Sequence, residues 1–237
     1  MSNKDIKLEG EIKIHSLPSV FILKAKLQNE TIKKLDGYLD KLKIDKNRES
    51  NAEFLVGQIK KGQQLLIDPA HKDVTDYNLA LCSLANYYVK YFYQYLKKEY
   101  IPRIPQIDKI WSVHSFDGDY NPMHSHMCKT MTGISAVTWT KVPSCISGKS
   151  AKNEGLSNVS GSQDGHLGFF YGTSTLLDIE LLKPVQDMTV KPRIGDIYMF
   201  PSWLQHMVYP FDGEGERTTI SANINMWPPK ENEVRLG

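Results

Sequence analysis

The chain has 237 residues, 41% of them hydrophobic and 10% aromatic. That is enough to bury a sizeable core, and it excludes wholesale disorder. A formal net charge of +2 argues against nucleic acid or an anionic membrane as partner, and the three irregularly spaced cysteines, Cys82, Cys128 and Cys145, form no disulfide framework and fit a reducing, cytoplasmic setting.

The N-terminal stretch MSNKDIKLEGEIKI is polar and charged, so it does not read as a signal peptide, and no run approaches the length of a membrane span. Composition divides the chain near residue 105. A mixed, helical region over 1–106 precedes a strand-rich region over 107–229, and the length favours one integrated domain in which the first part supports the second. Val20-Phe-Ile-Leu23 reads as a short buried strand. Asn29 is a candidate helix cap, followed by Ile32, Leu35, Leu39 and Leu42 at helical spacing. The mostly polar stretch 45–61 reads as loop, with room for one short element. A longer helix starts at 73–77 with Thr75 as its cap. Leu79, Cys82, Tyr87, Tyr91 and Tyr95 follow one face that is expected to pack on a sheet, and Pro102 and Pro105 end the segment.

From about residue 107 short strands alternate with turns. Ile110–Phe116 alternates, Asp117-Gly-Asp119 is a turn, and Ile134–Thr140 is β-branched and aromatic. Gly168–Tyr171 is strand-like, the turn at 192–196 feeds Ile197–Phe200, and Thr218–Asn225 alternates again before Pro228-Pro229. The class is mainly β with flanking helices (α+β), with the strands in a sandwich or barrel. The stretch 144–165, rich in Ser, Gly, Lys and Asn, is either a mobile surface loop or a lid that orders on binding.

Three histidines stand out. His124 and His126 are two residues apart, so on a strand or strand end both imidazoles face one side, close enough to share a metal. His206 follows a predicted strand through Pro201-Ser-Trp-Leu-Gln205, where a loop can turn it back toward the pair. Neutral imidazole serves Fe, Zn, Cu and Ni alike. Beyond it, Arg217 is followed at alternate positions by Thr219 and Ser221. On one strand these three share a face, and a guanidinium binds a carboxylate through paired hydrogen bonds. This is a floor for a dicarboxylate whose other end chelates the metal. Core packing is the default for Trp111, Trp139, Tyr198 and Trp203, though each could line the cleft. Tyr120 and Asn121, just before the histidine pair, are candidate substrate contacts, as is Trp139. His114 and His166 lack ligand spacing.

Four segments carry a resemblance: Gly118-Asp-Tyr-Asn-Pro-Met-His-Ser-His126, Gly133-Ile-Ser-Ala-Val-Thr-Trp-Thr-Lys-Val-Pro143, Gly195-Asp-Ile-Tyr-Met-Phe-Pro-Ser-Trp-Leu-Gln-His-Met-Val-Tyr-Pro210 and Glu216-Arg-Thr-Thr-Ile-Ser-Ala-Asn223. Over about 107–227 the chain resembles the 2-oxoglutarate/Fe(II)-dependent oxygenases, in particular a branch common in marine bacteria and their phages and related to prolyl 4-hydroxylases. The resemblance implies a double-stranded β-helix, or jelly roll. It also implies His124 and His206 as ligands of Fe(II), Arg217 as the 2-oxoglutarate anchor and Thr219 as the accompanying hydroxyl, with Ser221 behind it. The implied reaction is hydroxylation of a C–H bond by O2 with conversion of 2-oxoglutarate to succinate and CO2. A peptidyl proline or another amino-acid side chain is the favoured substrate, on a small molecule or a peptide.

The departure is His126, which stands where the family pattern has a carboxylate. Three neutral ligands leave the metal more positive, and Zn, Cu or Ni compete well for such a set. Asp119 is the obvious substitute carboxylate, in a turn expected to face away. Cys128 is expected to be a buried structural cysteine rather than a ligand. The histidine substitution keeps open two alternatives: a non-catalytic jelly-roll metal protein, structural or virion-associated, and a cupin-type three-histidine dioxygenase that needs no 2-oxoglutarate.

Overall fold

The computed structural model describes residues 20–51, 59, 62–147, 163–172 and 187–229. Among these residues ten strands form two antiparallel sheets: β1 (Leu23–Lys26), β2 (Gln63–Leu66), β3 (Ile104–Ser115), β4 (Asn121–His124), β5 (Gly133–Lys141), β6 (Leu167–Phe170), β7 (Asp187–Val190), β8 (Asp196–Pro201), β9 (Gln205–Val208) and β10 (Arg217–Trp227). The larger sheet runs β1-β8-β5-β10-β3-β2 and the smaller β4-β9-β6-β7. Two helices flank them, α1 (Asn29–Ile44) and α2 (Thr75–Tyr95), and a single turn, α3 (Ser144–Ser147), follows β5.

The larger sheet is buried on both faces, and strand alternation assigns each face a different job. Ile134 and Ala136 of β5, Ile197 and Met199 of β8, and Ile220, Ala222, Ile224 and Met226 of β10 meet α1 and α2 in one apolar core. The intervening residues point to the smaller sheet. Val137, Trp139, Tyr198 and Phe200 pack there on Leu167, Phe169 and Val190. Two facing antiparallel sheets with the site between them make the jelly roll that the sequence motifs imply.

Several local expectations need correction. Asn29 and Thr75 are not caps but the first helical residues, preceded by Gln28 and Val74, neither of which makes a side-chain cap bond. A 3-10 turn, Lys72–Val74, runs directly into α2 and takes up part of its N-terminal first turn. Helix α1 buries Ile32, Leu35 and Leu39 as expected. Helix α2 does not bury the expected face. Leu79, Tyr87, Tyr91 and Tyr95 are exposed, and the core takes Tyr77, Leu81, Ala85 and Tyr88 instead. These follow one another at steps of four, four and three, a cleaner helical stripe. Ala85 within it allows close approach to the sheet. Tyr91 and Tyr95 still pack edge-on against Phe21, with ring centroids 5.7 and 4.6 Å apart. Phe21 itself precedes strand β1, which is half-buried and shifted three residues later than the apolar run. Within 144–165 the helical turn α3 is regular structure the sequence did not suggest, and residues 148–162 of the candidate lid lie outside the described residues. No helix among the described residues is long and apolar enough to cross a membrane.

Candidate metal centre

Strand pairing builds the site. His124 ends β4 and is the direct cross-strand partner of His206 in β9, not in a loop after β8 as the sequence suggested. His126 lies just beyond β4, where its backbone N–H donates to the Ser202 carbonyl at 2.8 Å. The loop after it is sewn to β10: the Lys129 N–H donates to Asn225 Oδ1 at 2.8 Å and the Met226 N–H to Thr130 Oγ1 at 3.0 Å. Gly133 is required where this loop crosses β5, because a Cβ there would lie 2.5 Å from Cys128 Cβ and 2.6 Å from Ser202 Oγ. Cys128 packs at that crossing, and it is not a member of the metal-ligating group.

The three imidazoles converge. Ring centroids are 4.3 Å apart for His124 and His206, 4.9 Å for His126 and His206, and 5.2 Å for His124 and His126. One potential ligand atom from each lies within 4.8 Å of the others, and no carboxylate among the described residues joins the group. Each ring also has its Nδ1 committed. His124 Nδ1 donates to the Pro122 carbonyl at 2.7 Å, and His206 Nδ1 donates to the Leu204 carbonyl at 2.9 Å. A carbonyl only accepts, so Nδ1 carries the proton and Nε2 keeps its lone pair. His126 Nδ1 faces Asn223 Oδ1 at 2.8 Å. Outer hydrogen bonds of this kind fix tautomer and ring angle in metal sites.

Electrostatics agree. Burial lowers the pKa of all three histidines, and the neighbouring imidazoles add to it for His126 and His206. His126 falls to about 4 and His206 to about 3, and His124 is also lowered. All three are neutral donors at neutral pH, which fits a first-row divalent metal.

Arg217 begins β10 and is 2% exposed. Its Nη1 donates to the carbonyls of Gly165 at 3.1 Å and Tyr209 at 3.0 Å, and the Phe211 ring lies 5.4 Å from the guanidinium carbon. Burial pulls its pKa down to about 10, opposed by Asp119, so the group is charged at neutral pH. Asp119 is therefore not a substitute metal ligand. The turn at Gly118, whose φ is +78°, brings the carboxylate inward, where it is buried, accepts from the Phe116 N–H at 2.9 Å and balances Arg217. Arg217 Nε is buried without a hydrogen-bond partner, a vacant donor suited to an anion.

A cavity of about 360 Å³ joins the two halves, and its walls include the three histidines, Arg217, Thr219 and Ser221. Tyr120, Asn121, Trp111 and Trp139 also line it. Asn121 Nδ2 lies 3.3 Å from His124 Nε2, and its Oδ1 is buried without a partner. Tyr198 stays in the core between the sheets, whereas Trp203 is exposed. His166 and His114 stand apart. His114 is buried under the helices, bonded to Glu216 at 2.7 Å and Ser112 at 3.0 Å. Sequence reasoning missed Asn223 and Ser135. For Asn223 the signal was the polar residue at every second position of β10, from Arg217 to Asn225; Ser135, in the mostly apolar β5, carried none.

Residues 109–223 match the model of a family described as "Putative 2OG-Fe(II) oxygenase". No curated protein matches the chain in sequence. Solved structures do match in fold. A Pseudomonas putida prolyl-4-hydroxylase is similar with a TM-score of 0.55 at 15% identity, covering 89% of this chain and 94% of that one. The α-ketoglutarate-dependent epimerase SnoN from nogalamycin biosynthesis gives 0.57 at 12% identity, covering 88% and 79%. HygX from Streptomyces hygroscopicus, with nickel, 2-oxoglutarate and hygromycin B bound, gives 0.53 at 10% identity, covering 90% and 84%. The match spans the strand-rich core, and together with the shared fold and the three-histidine group it points to an oxygenase that uses Fe(II), 2-oxoglutarate and O2.

Proposed function

We propose that His124, His126 and His206 hold Fe(II), that Arg217 binds the distal carboxylate of 2-oxoglutarate with Thr219 and Ser221 beside it, and that the enzyme hydroxylates an amino-acid side chain, peptidyl proline first among them. The observation that carries the reading is a shared cavity: three neutral imidazoles with Nδ1 committed open onto the same space as a fully buried guanidinium with a spare donor. The bound groups would supply oxidative decarboxylation of 2-oxoglutarate to succinate and CO2, with one oxygen atom of O2 going into succinate and the other into the substrate C–H bond.

The chain's own residues orient and exclude. Arg217 is held by two backbone carbonyls, so it meets a carboxylate without reorganising. Thr219 and Ser221 share its strand face and extend the polar floor toward the histidines. Trp111 and Trp139 wall the cavity, and the Trp111 ring lies 5.5 Å from that of His126, which limits water there. Tyr120 and Asn121 stand beside His124 as substrate contacts, and Asn121 has an unmet acceptor to offer. The substrate class leans on fold likeness to the Pseudomonas putida prolyl-4-hydroxylase.

Succinate formation from 2-oxoglutarate, followed with added Fe(II) and proline-containing peptides, tests the reading. The expected result is Fe(II)-dependent succinate and a peptide gain of one oxygen, both lost in Arg217→Ala. Peptide oxidation that persists in Arg217→Ala would instead favour a dioxygenase that needs no 2-oxoglutarate. Tight Zn(II) binding without turnover on any substrate would overturn the proposal.

A further inference from the structure

Two of the three imidazoles are oriented by backbone carbonyls, which any sequence supplies. His126 is not. The acceptor at its Nδ1 is the side chain of Asn223, 2.8 Å away. Asn223 of β10 is the direct cross-strand partner of Ser135 of β5. Ser135 is fully buried, and its Oγ donates to Asn223 Oδ1 at 3.1 Å and lies 3.2 Å from His126 Nδ1. In this arrangement the serine hydroxyl donates to the amide oxygen, and that oxygen, not the NH2, faces the imidazole. That choice has a chemical consequence. An NH2 turned toward Nδ1 would demand a lone pair there, move the proton to Nε2 and leave the ring unable to coordinate.

A carboxylate ligand does not face this problem, because its two oxygens are equivalent and both carry lone pairs. An imidazole has two nitrogens and one proton, and the wrong tautomer does not bind. Exchanging carboxylate for imidazole at position 126 therefore creates a requirement for a fixed acceptor behind the ring. Strand β10 meets it two residues beyond Ser221, on the same cavity face as Arg217. The acceptor is an amide rather than a carboxylate, so the His126–Asn223 pair is neutral. The positive charge of the metal then remains available to anionic ligands.

We propose that Asn223, hydrogen-bonded by Ser135, is the positioning residue that makes His126 a metal ligand; the proposal rests on the three-imidazole reading of the centre. Co(II) titration tests it, because the d–d absorption band reports the coordination sphere and chelator competition reports affinity. Asn223→Ala is expected to weaken Co(II) by about 10–100-fold and to alter the band. Asn223→Asp still accepts from Nδ1 and is expected to restore the native band and most of the affinity. Ser135→Ala, which removes the hydroxyl that donates to the amide oxygen, is expected to fall between wild type and Asn223→Ala. Thermal unfolding of each metal-free variant checks that the fold is intact. His126→Ala separates the two levels of argument. If it loses Co(II) and Asn223→Ala does not, the positioning role is overturned and the three-imidazole centre stands. If His126→Ala binds Co(II) as wild type does, that centre is wrong and the positioning role falls with it. An Asn223→Asp protein as weak as Asn223→Ala would also overturn the proposal, since acceptance at Nδ1 would not be what matters.

Discussion

The two faces of the larger sheet share one set of strands and obey opposite rules. On the helical side β10 presents Thr218, Ile220, Ala222, Ile224 and Met226, nearly all apolar and fully buried. On the cavity side the same strand presents Arg217, Thr219, Ser221, Asn223 and Asn225, every one polar. An ordinary sandwich would fill both faces with hydrocarbon. Burying three of these polar side chains and half-burying Ser221 and Asn223 costs free energy unless each finds partners, and that cost is tolerated where a ligand or a neighbour completes the set. The contrast separates stability from function: the helical face holds the molecule together, and the cavity face is arranged for what binds there.

The sharpest way to break this contrast is at the metal. His206→Ala removes a ligand and is expected to weaken Co(II) by more than the ~10–100-fold carried by a supporting residue, and to abolish turnover. Metal-free thermal stability is expected to change little, since a buried neutral imidazole is replaced by a small apolar group. A large drop in metal-free melting temperature would mean that the cavity face also carries stability. The mirror experiment is Leu81→Ala in α2, a fully buried contact of the helical core. It is expected to cost about 2–5 kcal/mol in urea unfolding, with Co(II) affinity unchanged in the folded fraction.

Acid distinguishes the faces by slope. His126 and His206 have folded pKa values of about 4 and 3, below the ordinary histidine value. The unfolded chain takes up their protons as pH falls through about 6.5, while the folded chain does not until near those lower values. Stability of the metal-free protein is therefore full above pH 6.5 and lost as pH falls below it, by about 1.4 kcal/mol per pH unit for each such histidine. In His206→Ala this slope is expected to be shallower by one such share. In Leu81→Ala the slope is expected to match wild type, with the whole curve displaced downward. Urea midpoints measured from pH 4 to 7 read both outcomes.

How much of this was legible beforehand follows the same division. The cavity face was readable because its chemistry is local. Two histidines two residues apart, and Arg217, Thr219 and Ser221 at alternate positions, need only the period of a strand to share a face. The helical face was less readable. Helix α2 is apolar around much of its circumference, so two stripes competed on paper, and contact with the sheet chose the one through Ala85 over the one through Leu79, Tyr87 and Tyr91. Relations that depend on register were hidden altogether. Nothing in the sequence pairs Asn223 with Ser135, or His124 with His206, until the strands are aligned. Asp119 was considered as a metal ligand and is instead the counter-charge of Arg217, because the direction of a turn is set by its fold context.

The smallest expected effect tests whether the faces are independent where they come closest. Glu216 and Arg217 are adjacent in sequence and belong to opposite sides. Burial alone would raise the Glu216 pKa, but hydrogen bonds from His114 and Lys43 outweigh it and hold the carboxyl at about 2. Lys43, at the end of α1, meets both carboxylate oxygens, at 2.9 and 2.8 Å. A carboxyl depressed in the folded state contributes stability above its unfolded value of 4.5 and loses it as pH falls toward 2. Because Lys43 is partly in water, the contribution is about 1–2 kcal/mol. Glu216→Gln is expected to lose that amount at pH 7 and to flatten the stability curve between pH 4.5 and 2. Its 2-oxoglutarate affinity is expected to stay within about threefold of wild type. Arg217 is gripped by the carbonyls of Gly165 and Tyr209 and balanced by Asp119, whereas Glu216 is held by His114 and Lys43. A larger change in 2-oxoglutarate affinity would mean that strain passes along β10 from residue 216 to 217, and that α1 tunes the site from the far side of the sheet.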